Sequence, residues 1–143
     1  MRLSKQTTDA VKVLVHLARN GENVLSVPDL AKACGMTEPV TFKLVPLLVR
    51  EGFARTDRGR AGGVSLQRTA DTISLGEVVR ALERAPLDPG KKGTKPAVDL
   101  SMIVDEAFGG FLEILNQHSI ADLAKTKGAG FSETASPDLQ FSS

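Results

Sequence analysis

The side chains best equipped for chemistry in this 143-residue chain are arginines, lysines and hydroxyls gathered in two short stretches. One is Asp57-Arg58-Gly59-Arg60-Ala61-Gly62-Gly63, a basic loop rich in glycine. The other runs from Thr37 to Lys43, with Thr37, Thr41 and Lys43 within two helical turns of each other. Cations beside hydroxyls suit a polyanion, because ammonium and guanidinium groups take phosphate oxygens while hydroxyls reach phosphates or base edges. The loop lacks the Gly-Lys-Ser/Thr ending of a nucleotide-binding turn. Charge follows the same division: residues 1–68 carry 11 Lys and Arg against 6 Asp and Glu, residues 69–143 carry 7 against 11, and the net is +1.

Other chemistries lack their residues. Cys34 is the single cysteine, so neither an internal disulfide nor a cysteine-ligated metal site can form within one chain, and His16 and His118 stand far apart without ligand-spaced partners. No nucleophile, base and orienting acid can be placed together, and an enzyme is not expected. Cys34 has two readings, a small buried residue or a redox-sensing thiol favoured by nearby Lys32. The longest apolar run, Val13 to Leu17, is broken by His16 and falls far short of the ~18 residues of a membrane span. The opening residues give way to Asp9, Lys12 and Arg19 with no apolar leader, so a cytoplasmic protein without membrane contact is expected.

The elements that must position the basic groups are legible from capping and periodicity. Thr7-Thr8-Asp9 precede an apolar pattern through Ala18, with Gly21 beyond, which predicts a first helix over 7–19. Ser26 to Asp29 opens a second, ended by Gly35. Thr37 caps a third that runs toward Gly52. Pro46 inside it deletes a backbone hydrogen bond and predicts a kink or an end, and Phe42 either turns inward or meets a thymine methyl. Two strand-like runs, Phe53–Thr56 and Val64–Gln67, flank the basic loop and predict a hairpin. Two helices joined by a tight glycine turn, then a hairpin with a basic tip, make a winged helix-turn-helix, mainly α with a small β-hairpin wing.

A fourth helix opens at the Ser74/Glu77 capping box and ends before Pro86. Residues 86–97, with three prolines and three lysines, predict an exposed linker. From 98 to 116 a stripe of Leu100, Ile103, Val104, Ala107, Phe108, Phe111, Leu112 and Leu115 predicts a long C-terminal dimerisation helix buried against a second subunit, with packing back on its own domain as the alternative. A short element closes at 123, and 124–143 is expected to be a disordered tail. The winged domain spans 1–85.

Several segments, in order and with matching spacing over residues 1–123, resemble the Rrf-two (Rrf2) family of bacterial winged-helix regulators. They include Met1-Arg2-Leu3-Ser4, Val27-Pro28-Asp29-Leu30-Ala31, Arg58-Gly59-Arg60-Ala61-Gly62-Gly63-Val64, Ser74-Leu75-Gly76-Glu77-Val78 and Ser119-Ile120-Ala121-Asp122-Leu123. The resemblance implies a homodimeric transcription factor, a repressor or activator, on double-stranded DNA with an imperfect palindrome. Thr37 to Lys43, Glu38 included, correspond to the start of the major-groove helix. Arg58 corresponds to the arginine that enters the minor groove, with Arg55, Arg60 and Arg68 as phosphate contacts. Members that hold an iron–sulfur cluster carry three cysteines in the stretch matching 86–105; this chain has none there, so no cofactor is expected. A small-molecule or protein effector is left open. So is a protein-binding role for the winged helix.

Overall fold

The computed structural model describes residues 2–59, 62–83 and 98–126. The expected linker at 86–97, Arg60 at the loop tip, and the tail from 127 onward lie outside these residues. Helix α1 (Lys5–Arg19) starts two residues earlier than its sequence predicts, because Ser4 is the cap and its Oγ accepts the Thr7 amide at 3.2 Å. Thr7 and Asp9 are not free to cap, since both are buried in the packed face. The Asp9 carboxylate is paired there with Lys5 Nζ at 2.6 Å, with Lys12 Nζ at 4.0 Å.

Helix α2 (Val27–Cys34) is capped by Ser26 Oγ, which accepts the Asp29 amide at 3.2 Å, and stops at Gly35 with φ 66°. That left-handed residue lets Met36 N–H turn back to Ala31 O at 2.8 Å, so the chain reverses within two residues and begins again at Thr37. Helix α3 (Glu38–Arg50) follows. It does not end at Pro46. The proline sits on the exposed side, where water can satisfy the Phe42 carbonyl that loses its amide partner, and the remaining ladder carries the helix to Arg50.

Strands β1 (Ala54–Asp57) and β2 (Gly63–Leu66) pair antiparallel from Ala54↔Leu66 to Asp57↔Gly63. A short 3-10 turn at Ala70–Thr72 leads to α4 (Leu75–Glu83), whose capping box forms as expected: Ser74 N–H donates to Glu77 Oε2 at 3.0 Å and Glu77 N–H to Ser74 Oγ at 3.1 Å. Helices α5 (Ser101–Leu115) and α6 (Ile120–Lys125) complete the described chain, with α6 reaching two residues into the expected tail.

The hairpin is anchored by an element without a clear sequence signal. Leu25, between α1 and α2, bridges Val64: Leu25 N–H donates to Val64 O at 3.0 Å and Val64 N–H to Leu25 O at 2.7 Å. Gly63 makes this approach possible, because a Cβ there would lie 2.5 Å from Leu25 O. Gly62 is equally constrained, its would-be Cβ 2.6 Å from Asp57 O. Two glycines thus set where the wing stands.

Helix α1 is the centre of the core. Leu14, Leu17, Leu30, Leu48, Val64, Val78 and Ile120 are all sealed from water in one cluster around it. The segment before α6 is stitched to the start of α4: Leu75 N–H donates to His118 O at 2.8 Å, Ile120 N–H to Ile73 O at 2.9 Å, and Ser74 Oγ to Asn116 Oδ1 at 2.8 Å. The C-terminal end of α5 is therefore fixed on the body. Leu112, expected in the dimer stripe, is 2% exposed and lies where α5 packs on α4, so it belongs to its own protomer's interior.

Gly63→Ala places a methyl against a backbone carbonyl that cannot yield. We expect a loss of stability on the order of 1–3 kcal/mol and faster hydrogen exchange at the Leu25 and Val64 amides, measured by denaturant titration and amide exchange. Unchanged stability and exchange would mean that the wing is not fixed through Leu25.

Candidate nucleic-acid interface

The turn between α2 and α3 aims the third helix outward. Thr37 caps it, its Oγ1 accepting the Val40 amide at 3.4 Å, and Thr37 O accepts both the Thr41 amide and the Thr41 hydroxyl, the latter at 2.9 Å. Thr41 is fully buried by this arrangement. It cannot offer its hydroxyl to a base or phosphate, and the expectation that it would is corrected: its period places it on the core side, where it braces the first turn. Of the amides of Glu38, Pro39 and Val40, proline has none and the cap takes Val40's, so Glu38 N–H is the one left to meet an anion.

Thr37, Glu38 and Lys43 are exposed. Phe42 also faces solvent, at 55% exposure, and the alternative of an inward turn is excluded. It borders a concavity shared with Pro28 at the start of α2 and with Thr56, Asp57 and Gly63 at the base of the wing. The α2 start, the outer face of α3 and the wing therefore form one side of the molecule.

The arginines divide. Arg58 is exposed at the loop beside Gly59, whose φ of 143° is a conformation that glycine adopts freely. Arg55 alternates with Thr56 along β1 and so points to the hairpin face away from Phe42, where its Nε donates to Ser65 Oγ at 3.1 Å. Arg68 is held within the fold: its guanidinium lies 5.8 Å from the Phe53 ring centre, 3.4 Å from Glu77 Oε1, and donates to Thr72 O at 3.3 Å. Glu77 is held below the usual carboxylate range mainly by the Ser74 amide, with Arg68 adding to it. Arg68 is a brace between the wing and α4 in this arrangement, a role that its basic type alone did not reveal.

Cys34 is half-buried at the end of α2, and desolvation pushes its thiol up to about 11. The neighbouring cation that acts on it is Lys12 of α1, opposed by Asp9, and not Lys32. A thiol protonated at neutral pH is poorly suited to redox sensing. His16, partly desolvated and near Arg19, is pushed down from its ordinary value and stays neutral at physiological pH.

The other exposed feature is α5. Its N-terminal half projects Leu100, Ile103 and Val104 into solvent, Ile103 at 65%. Ala107 is also exposed, whereas Phe108, Phe111 and Leu115 are half-buried, the two rings stacked at 6.1 Å. Met102 and Ile114 are exposed as well, outside the expected stripe, because this helix is apolar on more than one face. No helix among the described residues is long and apolar enough to cross a membrane.

Comparison with known proteins gives this geometry a setting. Protein aau3 of Rhizobium meliloti (strain 1021) is 38% identical over 134 residues, covering 89% of this chain and 87% of that protein. The HTH-type transcriptional regulator NsrR of Bacillus licheniformis is 27% identical over 131 residues, 86% of this chain and 92% of its own. Among solved structures, T. potens IscR superposes with a TM-score of 0.70 at 23% identity, covering 99% of this chain and 97% of that one. CymR, the global cysteine regulator of B. subtilis, superposes at 0.67 with 23% identity, covering 87% and 96%. These likenesses share the winged-helix fold.

The Rrf2 family profile, described as an iron-dependent transcriptional regulator, matches residues 3–126. Iron held by three cysteines of one chain does not fit the donors present, because Cys34 is the single cysteine. Among the described residues, no three His, Cys, Asp or Glu side chains converge. With the match running from the first turn of α1 through the last of α6, and with a cap, a helix pair and a wing in the order that such a regulator requires, the chain belongs to the Rrf2 family of transcriptional regulators.

Proposed function

We propose that this regulator binds a palindromic operator as a homodimer, needs no iron–sulfur cluster to do so, and represses by occupying the promoter. The observation that carries the reading is the concavity that Phe42 of α3 shares with Thr56, Asp57 and Gly63 of the wing, with Glu38, Lys43 and Arg58 also exposed on these two elements. A helix with a free face fits the major groove of B-DNA, and an arginine on a glycine-flexed loop fits the adjacent narrow minor groove. The exposed groups read sequence, while Arg60 adds a phosphate contact that weakens with salt; Arg55, on the other face of the hairpin, takes no part. Arg68 acts by bracing the wing.

The exposed half of α5, uncovered among the described residues, supports the dimer. Leu100, Ile103 and Val104 stand beyond the protomer's own core, and pairing them with a second copy buries them and repeats the DNA-reading side about a two-fold axis. Arg58→Ala is expected to cost on the order of 1–3 kcal/mol in operator binding and to relax the preference for A/T-rich wing sites, read by anisotropy titration at fixed salt. Unchanged affinity and selectivity would remove the wing from the interface and favour a protein-binding role instead.

Light scattering on the wild type should give twice the 15.2 kDa chain mass. The pair Ile103→Asp with Val104→Asp, exposed and so harmless to the protomer, should give monomers that lose palindromic binding. A wild-type monomer would sink the dimer. At pH 7.4, Cys34 should be alkylated roughly a hundredfold more slowly than a free thiol, with the rate rising toward pH 11 and restored by urea. Alkylation as fast as in the unfolded chain would reinstate the redox reading.

A further inference from the structure

The outer face of α3 is unusual for a helix that enters a DNA groove. Exposed positions from Glu38 to Val49 are Glu38, Pro39, Val40, Phe42, Lys43, Pro46 and Val49, most of them apolar. The groups that could form hydrogen bonds with base edges are few: Thr37 spends its hydroxyl on the cap, Thr41 turns its own inward, and Glu38 and Lys43 remain. A lysine ammonium reads guanine O6 and N7, and a carboxylate accepts from cytosine N4, so both of these groups report G·C pairs. Reading adenine directly takes an Asn or Gln, and α3 has neither from Glu38 to Arg50. Beyond its polar edge of adenine N7 and N6 and thymine O4, an A·T pair offers the one apolar mark in the major groove, the C5-methyl of thymine.

We infer that Phe42 is a specificity-determining residue that reads A·T pairs by covering thymine methyl groups in the major groove, with Lys43 beside it taking guanine. This rests on the DNA-binding reading above and deepens it. Three observations bear on it independently of the helix's composition. Phe42 is 55% exposed although a phenylalanine gains by burial, so the free protein holds an apolar surface that lacks its cover. It borders the same concavity as the wing base, so a duplex that meets Arg58 passes over it. Lys43 on α3 and Arg58 on the wing are both exposed cations, which matches the charge of a polyanion and would oppose a purely apolar occupant.

The test uses the full-length protein and synthetic duplexes. An operator is first selected from random DNA with the wild type, and each thymine of a half-site is then replaced by deoxyuridine, which removes the methyl and leaves pairing intact. At one or two positions per half-site the wild type should weaken about fourfold, the effect expected of a single methyl group left in water. Phe42→Ala should bind the thymine and deoxyuridine duplexes equally. Phe42→Leu should retain part of the difference, and equal melting temperatures for both variants and the wild type would separate contact from folding.

If deoxyuridine has no effect on the wild type, or the same effect on Phe42→Ala, the inference fails while selective DNA binding stands. If Phe42→Ala leaves selective binding untouched altogether, the ridge faces a partner other than DNA and the inference fails as well. If no sequence is enriched in the selection, the DNA-binding reading falls and the inference falls with it.

Discussion

The burial of α1 is the constraint on which the rest of the molecule hangs. A 15-residue helix whose Ala10, Val13, Leu14, Val15 and Leu17 are all sealed from water must be covered on several sides at once. The cover comes from α2, α3 and β2 on one flank and from α4 and α6 on the other. Each fully buried leucine or valine contributes about 1.5–3 kcal/mol relative to exposure, so the elements around α1 are held by removal of area from water far more than by their few surface ion pairs. The same helix also carries Asp9 into the packed face, where Lys5 and Lys12 supply the opposite charge that a buried carboxylate requires.

From that centre the side shared by α3 and the wing and the side of α5 are tied to a common frame. The turn at Gly35 and the cap at Thr37 set the direction of α3, while the Leu25–Val64 bridge sets the wing relative to the start of α2. On the opposite flank, the bonds among Ile73 to Leu75 and Asn116 to Ile120 fix one end of α5, while its other end stands clear of the other described elements. Helix α5 is thus a lever with one end clamped. Its exposed half can meet a second copy only in a direction that the clamp has already chosen.

Much of this was legible in the residues. The caps at Ser26, Thr37 and Ser74 and the stop at Gly35 lie where side-chain chemistry demands them, because a cap is decided by a few neighbouring atoms. What the sequence left hidden depends on distant contacts. Thr41 reads as a polar residue on a DNA-reading helix until the packing of α3 turns it inward. Arg68 reads as one more basic group until Phe53 and Glu77 are found around it. Leu112 belongs to the same apolar stripe as Ile103, and only the position of α4 separates interior from exposed face. Leu25 gives no strand signal at all, since a single bridge leaves no periodicity.

Ile120 is fully buried in the core formed by the first half of the chain, and Arg19 at the end of α1 donates to the carbonyl oxygens of Ala124 and Thr126 at the end of α6. The winged helix is therefore closed by residues more than a hundred positions downstream of α1. During synthesis the helix pair and the wing emerge early but leave one flank of α1 bare until α6 has been made. Cooperative folding must wait for this distant strap, so the DNA-reading surface and the C-terminal helices mature together. A nascent or truncated chain without α6 presents an uncovered apolar stripe, and the finished reading head comes only with the helices that follow it.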